Sequence, residues 1–171
     1  TLSDISKVYT LGNSIFTSKE FPNMYRLWDD YGIVDNFSSS REFCHVAEHP
    51  QTGEIIGFLL GETMTKYNVG TRGYIQWVGV LPNYRHNHIA TELIECFKRV
   101  AKIQNITLLL ADTPASNKPA ISMFEKAGLS VKTDHVYLTR KLLSSEGVRH
   151  KVSEDGDFHF SYTAKKKSIT V

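Results

Sequence analysis

Cysteine is scarce: Cys44 and Cys96 are the whole complement of a 171-residue chain. Neither sits in a CxxC pair, and no His/Cys spacing suits zinc, so a disulfide framework and a structural metal knot are excluded. Two unpaired thiols are expected to be reduced, as in a cytoplasmic protein. Long apolar runs are missing too, as is a secretory pattern, so no membrane association is expected. Charge of one sign is not in excess. Lys plus Arg number 20 against 18 Asp plus Glu, a net +2, too mild a balance to imply nucleic acid. The one basic cluster, Lys165-Lys166-Lys167, reads as a solvated tail. Repeats, low-complexity tracts and internal linkers are also lacking. What is there is an ordinary globular composition, 41% hydrophobic and 22% charged, at a length that suits one domain with a sizeable core.

The apolar spacing then sets the elements. Ile5, Val8, Leu11 and Ile15 recur at helical intervals over residues 3–16, after a cap candidate at Ser3. A second short helix is expected after Pro22, with Met24, Leu27, Trp28 and Tyr31 on its apolar side. Residues 33–40 read as a polar, Ser-rich loop. Two strands near 43–48 and 54–63 flank a turn supplied by Pro50 and Gly53. A third, 73–81, alternates, with Tyr74, Gln76, Val78 and Val80 on one side and Ile75, Trp77 and Gly79 on the other.

A helix follows over 89–103, its stripe formed by Ile89, Leu93, Phe97, Val100 and Ala101. The continuous apolar run 106–111 reads as a buried strand. Asn117-Lys118-Pro119 opens a helix over 119–127 that Gly128 closes. Strands near 129–133 and 136–142 complete the core, 144–156 is a polar connection, and alternation in 157–164 suggests an extra edge strand. The order from 73 to 142 is that of an α/β fold with a parallel crossover. The expected division is a domain of residues 1–143 and an extension of 144–171, which pairs with a second subunit in a homodimer or folds back over the acceptor site.

The most informative stretch is the strand-to-helix junction Arg85-His86-Asn87-His88-Ile89-Ala90. A helix that starts directly after such a turn offers backbone N–H groups and a positive dipole end to an anion. A nucleotide-like cofactor with a diphosphate meets that description.

With these residues in place, the chain resembles the GNAT superfamily of acetyl-CoA-dependent N-acetyltransferases. One anchor is Val78-x-Val80 followed by Arg85-x-x-His88-x-Ala90, similar to the family's Q/R-x-x-G-x-G/A pyrophosphate loop. The other is Asn117-x-x-Ala120-x-x-Met123-Phe124-x-x-x-Gly128-Leu129, similar to N-x-x-A-x-x-L-Y-x-x-x-G-F. The resemblance implies a mixed central β-sheet flanked by helices, with the family's first strand missing before Thr1 through trimming. It implies acetyl-CoA as cofactor: Val78 and Val80 offer backbone groups to the pantetheine arm. His86, Asn87, His88, Ile89, Ala90 and Thr91 hold the diphosphate through backbone N–H groups, and Arg85 adds charge. Asn117 contacts the lower pantetheine, and Phe124 walls the sulfur.

Two departures carry chemistry. His88 stands where the family has Gly, so its Cβ must be accommodated, although His tolerates left-handed geometry better than most residues. Phe124 replaces a Tyr that often protonates the departing thiolate. A thiol pKa near 8.5 makes unassisted departure at neutral pH cost roughly 2 kcal/mol, which slows the chemistry without abolishing it.

No Glu or Asp lies in strand 73–81, where several family members carry a base. Tyr74 at the matching position, acting through ordered water, is the expected catalytic residue; packing of a plain aromatic is the competing reading. His135 is a second candidate base, and a backbone N–H near Val80 is the expected oxyanion donor. Tyr25, Trp28 and Tyr31 are candidates for the acceptor groove, with core packing favoured for Trp28. Without a carboxylate base, an amine of low pKa is favoured, hence a peptide or protein N-terminus. A small-molecule amine such as a polyamine or amino sugar is the alternative acceptor. A non-catalytic acyl-CoA-binding domain is the alternative from another class.

Overall fold

Four strands form the central sheet of the computed structural model, in the order β1-β2-β3-β4. The structure describes residues 1–17, 19, 26–66, 70–136, 138, 149–152 and 158–161, with 66, 149–152 and 158–161 described by backbone alone. Two compact units divide the chain, Thr1–Val131 and Lys132–Val171.

The first unit opens with a short 3-10 turn and helix α1, Ile5–Ile15. The helical spacing of Val8, Leu11 and Ile15 buries these three on one face. The same face carries Gly12, where a Cβ would stand 2.0 Å from the Trp28 ring. Trp28 fills that notch and donates from Nε1 to the Tyr9 carbonyl at 3.1 Å. Core packing, the favoured reading of Trp28, therefore holds.

Helix α2 spans Asp30–Ser39 and corrects two expectations. Leu27 and Trp28 precede the helix rather than belonging to it, and residues 33–39 are helical rather than loop. Met24 and Tyr25 lie outside the described residues. Asp29 caps α2, its side chain accepting from the Gly32 N–H at 2.7 Å. The buried face is mixed, Ile33 with Asn36, which is why apolar spacing does not reveal it.

Strand β1 (Cys44–Glu48) pairs antiparallel with β2 (Ile55–Lys66), and β2 antiparallel with β3 (Gly70–Val80). The register slips within the second pairing. Leu60 lies opposite Trp77 and Gly61 opposite Ile75, so Gln76 has no partner across the ladder. This bulge corrects the expected alternation. Ile75 now shares a face with Val78, both packed with Phe97, while Trp77 packs with Phe58 on the opposite face.

Helix α3, Ile89–Ile103, buries Leu93, Ile94, Phe97 and Ala101. It ends on Asn105 in the left-handed region (φ 57), and the Ile106 N–H returns to the Ala101 carbonyl at 2.9 Å. Ile106 is thereby used in the helix exit, and β4 is only Leu109–Ala111 rather than the whole run from 106. It pairs parallel with β3 from Gly73 to Ile75 and no further. Helix α4, Lys118–Lys126, closes on Gly128 (φ 91), with the Leu129 N–H bonded to the Phe124 carbonyl at 2.9 Å.

Residues 129–136 form no strand, contrary to the expectation for 129–133. Val131 is 95% exposed, so no burial repays the entropy of ordering a strand there. Most of the strand expected over 136–142 lies outside the described residues; Val136 and Leu138 are exposed and unstranded. In the second unit, β5 (Arg149–Val152) and β6 (Phe158–Ser161) make an antiparallel hairpin. A strand is present where the extra edge strand was expected, but it pairs with β5 in a two-stranded sheet of its own, and the connection expected over 144–156 contains that partner. β5 has one apolar residue in four, so alternation alone does not mark it.

Two consequences are measurable. A Gly12→Ala substitution is expected to cost about 1–3 kcal/mol through overpacking against Trp28, read as a lowered urea midpoint at unchanged slope. Burial pushes the Cys44 thiol up to about 11. Alkylation at pH 8 with mass-spectrometric mapping should therefore label Cys96 well ahead of Cys44.

Candidate functional site

Beyond Ile75, β3 has a neighbour on one side only, and a groove of about 870 Å³ occupies the other. That volume falls within the range of ligand sites. A separate space of about 50 Å³ beside Ile33 and Cys44 has room for little more than water.

The groove follows β3 toward its end, where Val78 and Val80 line it. A 3-10 turn, Pro82–Tyr84, then leads through residues 85–88 into α3. Arg85, His86, His88, Ile89, Ala90 and Thr91 all line the groove. Arg85 is tied back to its strand, Nε donating to the Val80 carbonyl at 3.2 Å. His88 is the N-cap of α3 at φ 60, ψ 6, and its side chain makes no capping bond. The N–H groups of the first helical turn thus have neither an intrahelical partner nor a cap from His88. His86 is also left-handed, at φ 66, which the sequence did not reveal. For residues with a Cβ this geometry costs on the order of 1 kcal/mol or more at each position.

Asn87 does not line the groove; its Nδ2 donates to the Tyr84 carbonyl at 3.2 Å. Asn117 lines it, yet its side chain is also structural. Oδ1 accepts from the Ala120 N–H at 3.3 Å, capping α4, and Nδ2 donates to Thr113 Oγ1 at 3.1 Å. Phe124 contributes a wall and is 9% exposed.

A polar cluster stands at the point where β3 and β4 part. The Tyr74 hydroxyl donates to Asp112 Oδ1 and accepts from Arg26 Nη2. Arg26 and Asp112 form an ion pair at 3.6 Å, and Arg26 Nη1 donates to the Gln76 carbonyl at 3.0 Å. The guanidinium lies 5.2 Å from the Tyr74 ring centroid and 5.7 Å from that of Trp77. Gln76 is fixed by Asn36, which donates to its Oε1 at 3.0 Å.

Sequence reasoning missed both Arg26 and Asp112. Asp112 had a signal, a carboxylate directly after an apolar strand, because ligands in open α/β sheets sit beyond the carboxyl ends of strands. Arg26 had none. Tyr31 is 85% exposed on α2, and His135 is exposed in the second unit. Among the described residues that line the groove, Asp112 is the one carboxylate, against Arg26, Arg85 and Lys126. With Asp112 already paired to Arg26, the positive balance of this lining suits an anion near the α3 start and disfavours a polycation.

Comparison with known proteins gives the fold and the family. The N-terminal acetyltransferase B complex catalytic subunit NAA20 of Arabidopsis thaliana is 31% identical over 88 residues, covering 51% of this chain. The chain spans 49% of that relative's length. Among solved structures, the NatC complex bound to Gag peptide and CoA superposes with TM-score 0.62 at 19% identity, covering 71% of this chain and 74% of that one. The aminoglycoside acetyltransferase meta-AAC0020 from an uncultured soil metagenomic sample, in complex with trehalose, gives 0.63 at 15%, covering 83% and 90%. These likenesses establish the fold. The family model described as the acetyltransferase (GNAT) family matches residues 5–129, and the chain belongs to that family.

Proposed function

We propose that this chain transfers an acetyl group from acetyl-CoA to the N-terminal amine of a peptide or protein, by direct attack in a ternary complex. The observation that carries the choice of acceptor is the charge of the groove. Asp112 is its one acidic lining residue among those described. Polyamines and amino sugars carry several ammonium groups and call for several carboxylates, whereas a peptide N-terminus brings one. The likeness to NAA20 and to a peptide-bound NatC structure supports the same reading.

Acetyl-CoA supplies a thioester carbonyl. The chain's own residues supply the rest. Donors between His86 and Thr91 hold the diphosphate with Arg85, and the backbone of Val78 and Val80 lines the arm. From Tyr74 to Val80 the strand covers about 20 Å at its usual rise per residue, so anion grip and proton acceptor stand at opposite ends of one groove. Asp112 takes the proton of the attacking amine, directly or through water, and the Tyr74 hydroxyl bonded to it fixes its orientation. An α-amino group titrates near 7.7–8.0, so a useful fraction is neutral at pH 7 without a strong base. A side-chain alkylamine, near 10.4, is a far poorer acceptor on the same grounds. Phe124 offers no proton to the departing sulfur, at the modest cost given above.

A panel of peptides with free and blocked N-termini, alongside polyamines and aminoglycosides, tests the proposal by thiol release and mass spectrometry. Turnover confined to free peptide N-termini supports it. Faster turnover of polycationic amines transfers the reading to small molecules, and binding without any release makes the chain a CoA-binding module.

Asp112→Asn is expected to lower kcat about a hundredfold or more, as for loss of a general base, with calorimetric CoA affinity unchanged. Tyr74→Phe should lower kcat less. An undiminished rate in either variant removes that residue from the chemistry. Arg85→Ala is expected to weaken CoA binding up to roughly tenfold at low salt, the effect shrinking as ionic strength rises.

A further inference from the structure

We infer that the imidazoles of His86 and His88 are proton-dependent ligands of the anion held at the start of α3, so that coenzyme A binds more tightly as pH falls. The inference rests on the cofactor reading above and goes beyond it. Both residues occupy left-handed positions, φ 66 and φ 60, where a glycine would be relaxed and a Cβ is disfavoured. The chain accepts that cost twice within three residues, and both times the side chain is ionisable, exposed and at the groove. Asn87 between them is bonded back onto its own turn, to the Tyr84 carbonyl at 3.2 Å and the Arg85 carbonyl at 3.4 Å. His88 in the left-handed region followed by helical Ile89 is the arrangement that turns successive N–H groups into an anion-binding concavity. Both histidines therefore line the groove at a helix start that the His88 side chain leaves uncapped.

The charged surroundings fix the sign. Arg85 on the same turn and Lys126 on α4 are permanent cations at the groove. Glu92, one turn along α3 from His88 and exposed, is the acid within helical reach. His49, from the β1–β2 turn, stacks edge-on to Tyr84 at 5.7 Å. Asp112 lies at the other end of the groove. A neutral imidazole donates through one nitrogen and an imidazolium through both. A bound diphosphate favours the imidazolium form, so binding takes up protons. By linkage, affinity rises as pH falls through the imidazole range and is lost as pH rises above it.

Calorimetry on the full chain with 3′-dephospho-CoA tests this, because that ligand lacks the phosphate monoester that itself titrates near pH 6. Run at pH 6, 7 and 8 in two buffers of different ionisation enthalpy, it counts protons directly. The expected result is net proton uptake and a Kd roughly tenfold lower at pH 6 than at pH 8, from two partly exposed charge contacts. A His86→Asn/His88→Asn double variant, which keeps residues that tolerate left-handed geometry, should abolish the proton uptake and the pH dependence of the Kd alike. NMR titration of the two imidazoles in the unaltered chain, with and without ligand, should show both titrating higher in the complex. Binding with no proton uptake, or imidazole titrations that the ligand does not move, overturns this inference alone. Absence of binding by CoA and dephospho-CoA at every pH overturns the cofactor reading and this inference together.

Discussion

When β3 slips by one residue at Gln76, its ladder with β2 continues, but its outer edge loses β4 one residue earlier, after Ile75. The groups along that edge still require partners, since an unpaired buried carbonyl or N–H is costly. Two are met by arginines, Arg26 on the Gln76 carbonyl and Arg85 on the Val80 carbonyl. The rest of the edge faces the groove. The site is thus a gap in a sheet, and its polar character follows from backbone that the sheet itself no longer satisfies.

The gap stays open because the sheet is braced on both faces. On one side Phe97, fully buried, packs against Phe43 at a ring separation of 4.9 Å and lies over Gly61, where a Cβ would come within 2.4 Å of it. On the other side Phe16, Trp28, Phe58 and Trp77 form a cluster with ring separations of 4.8–6.2 Å. A fully buried aromatic contributes about 1.5–3 kcal/mol, which helps hold a strand whose outer edge has no partner beyond Ile75. The bulge assigns these loads: it puts Ile75 and Val78, three residues apart, in the Phe97 cluster, while Trp77 serves the other.

Much of this was legible in the sequence, and the failures have physical causes. Helix α3 was found to the residue because its stripe is long and strongly periodic, and α4 was bracketed by its Asn117 cap and Gly128 stop. His88 was expected to accept left-handed geometry and does. Helix α2 was hidden because a buried Asn36 replaces an apolar residue on its inner face. The alternation in β3 failed because nothing local announces a bulge; it follows from the tertiary fit of Gly61 beneath Phe97. Tyr74 was singled out, but its hydrogen-bonding partners were invisible. They come from 48 residues before it and 38 after it, a separation that no local pattern encodes.

The notch at Gly12 has a reach beyond its own helix. Trp28 is pinned there, and Arg26 is only two residues upstream on the same stretch of backbone. The seating depth of one indole therefore sets where a guanidinium can arrive beside Asp112. A bare patch on the first helix acts as a spacer for the electrostatics of a pocket it does not line, and drift at that position would register in the chemistry as well as in the stability of the fold.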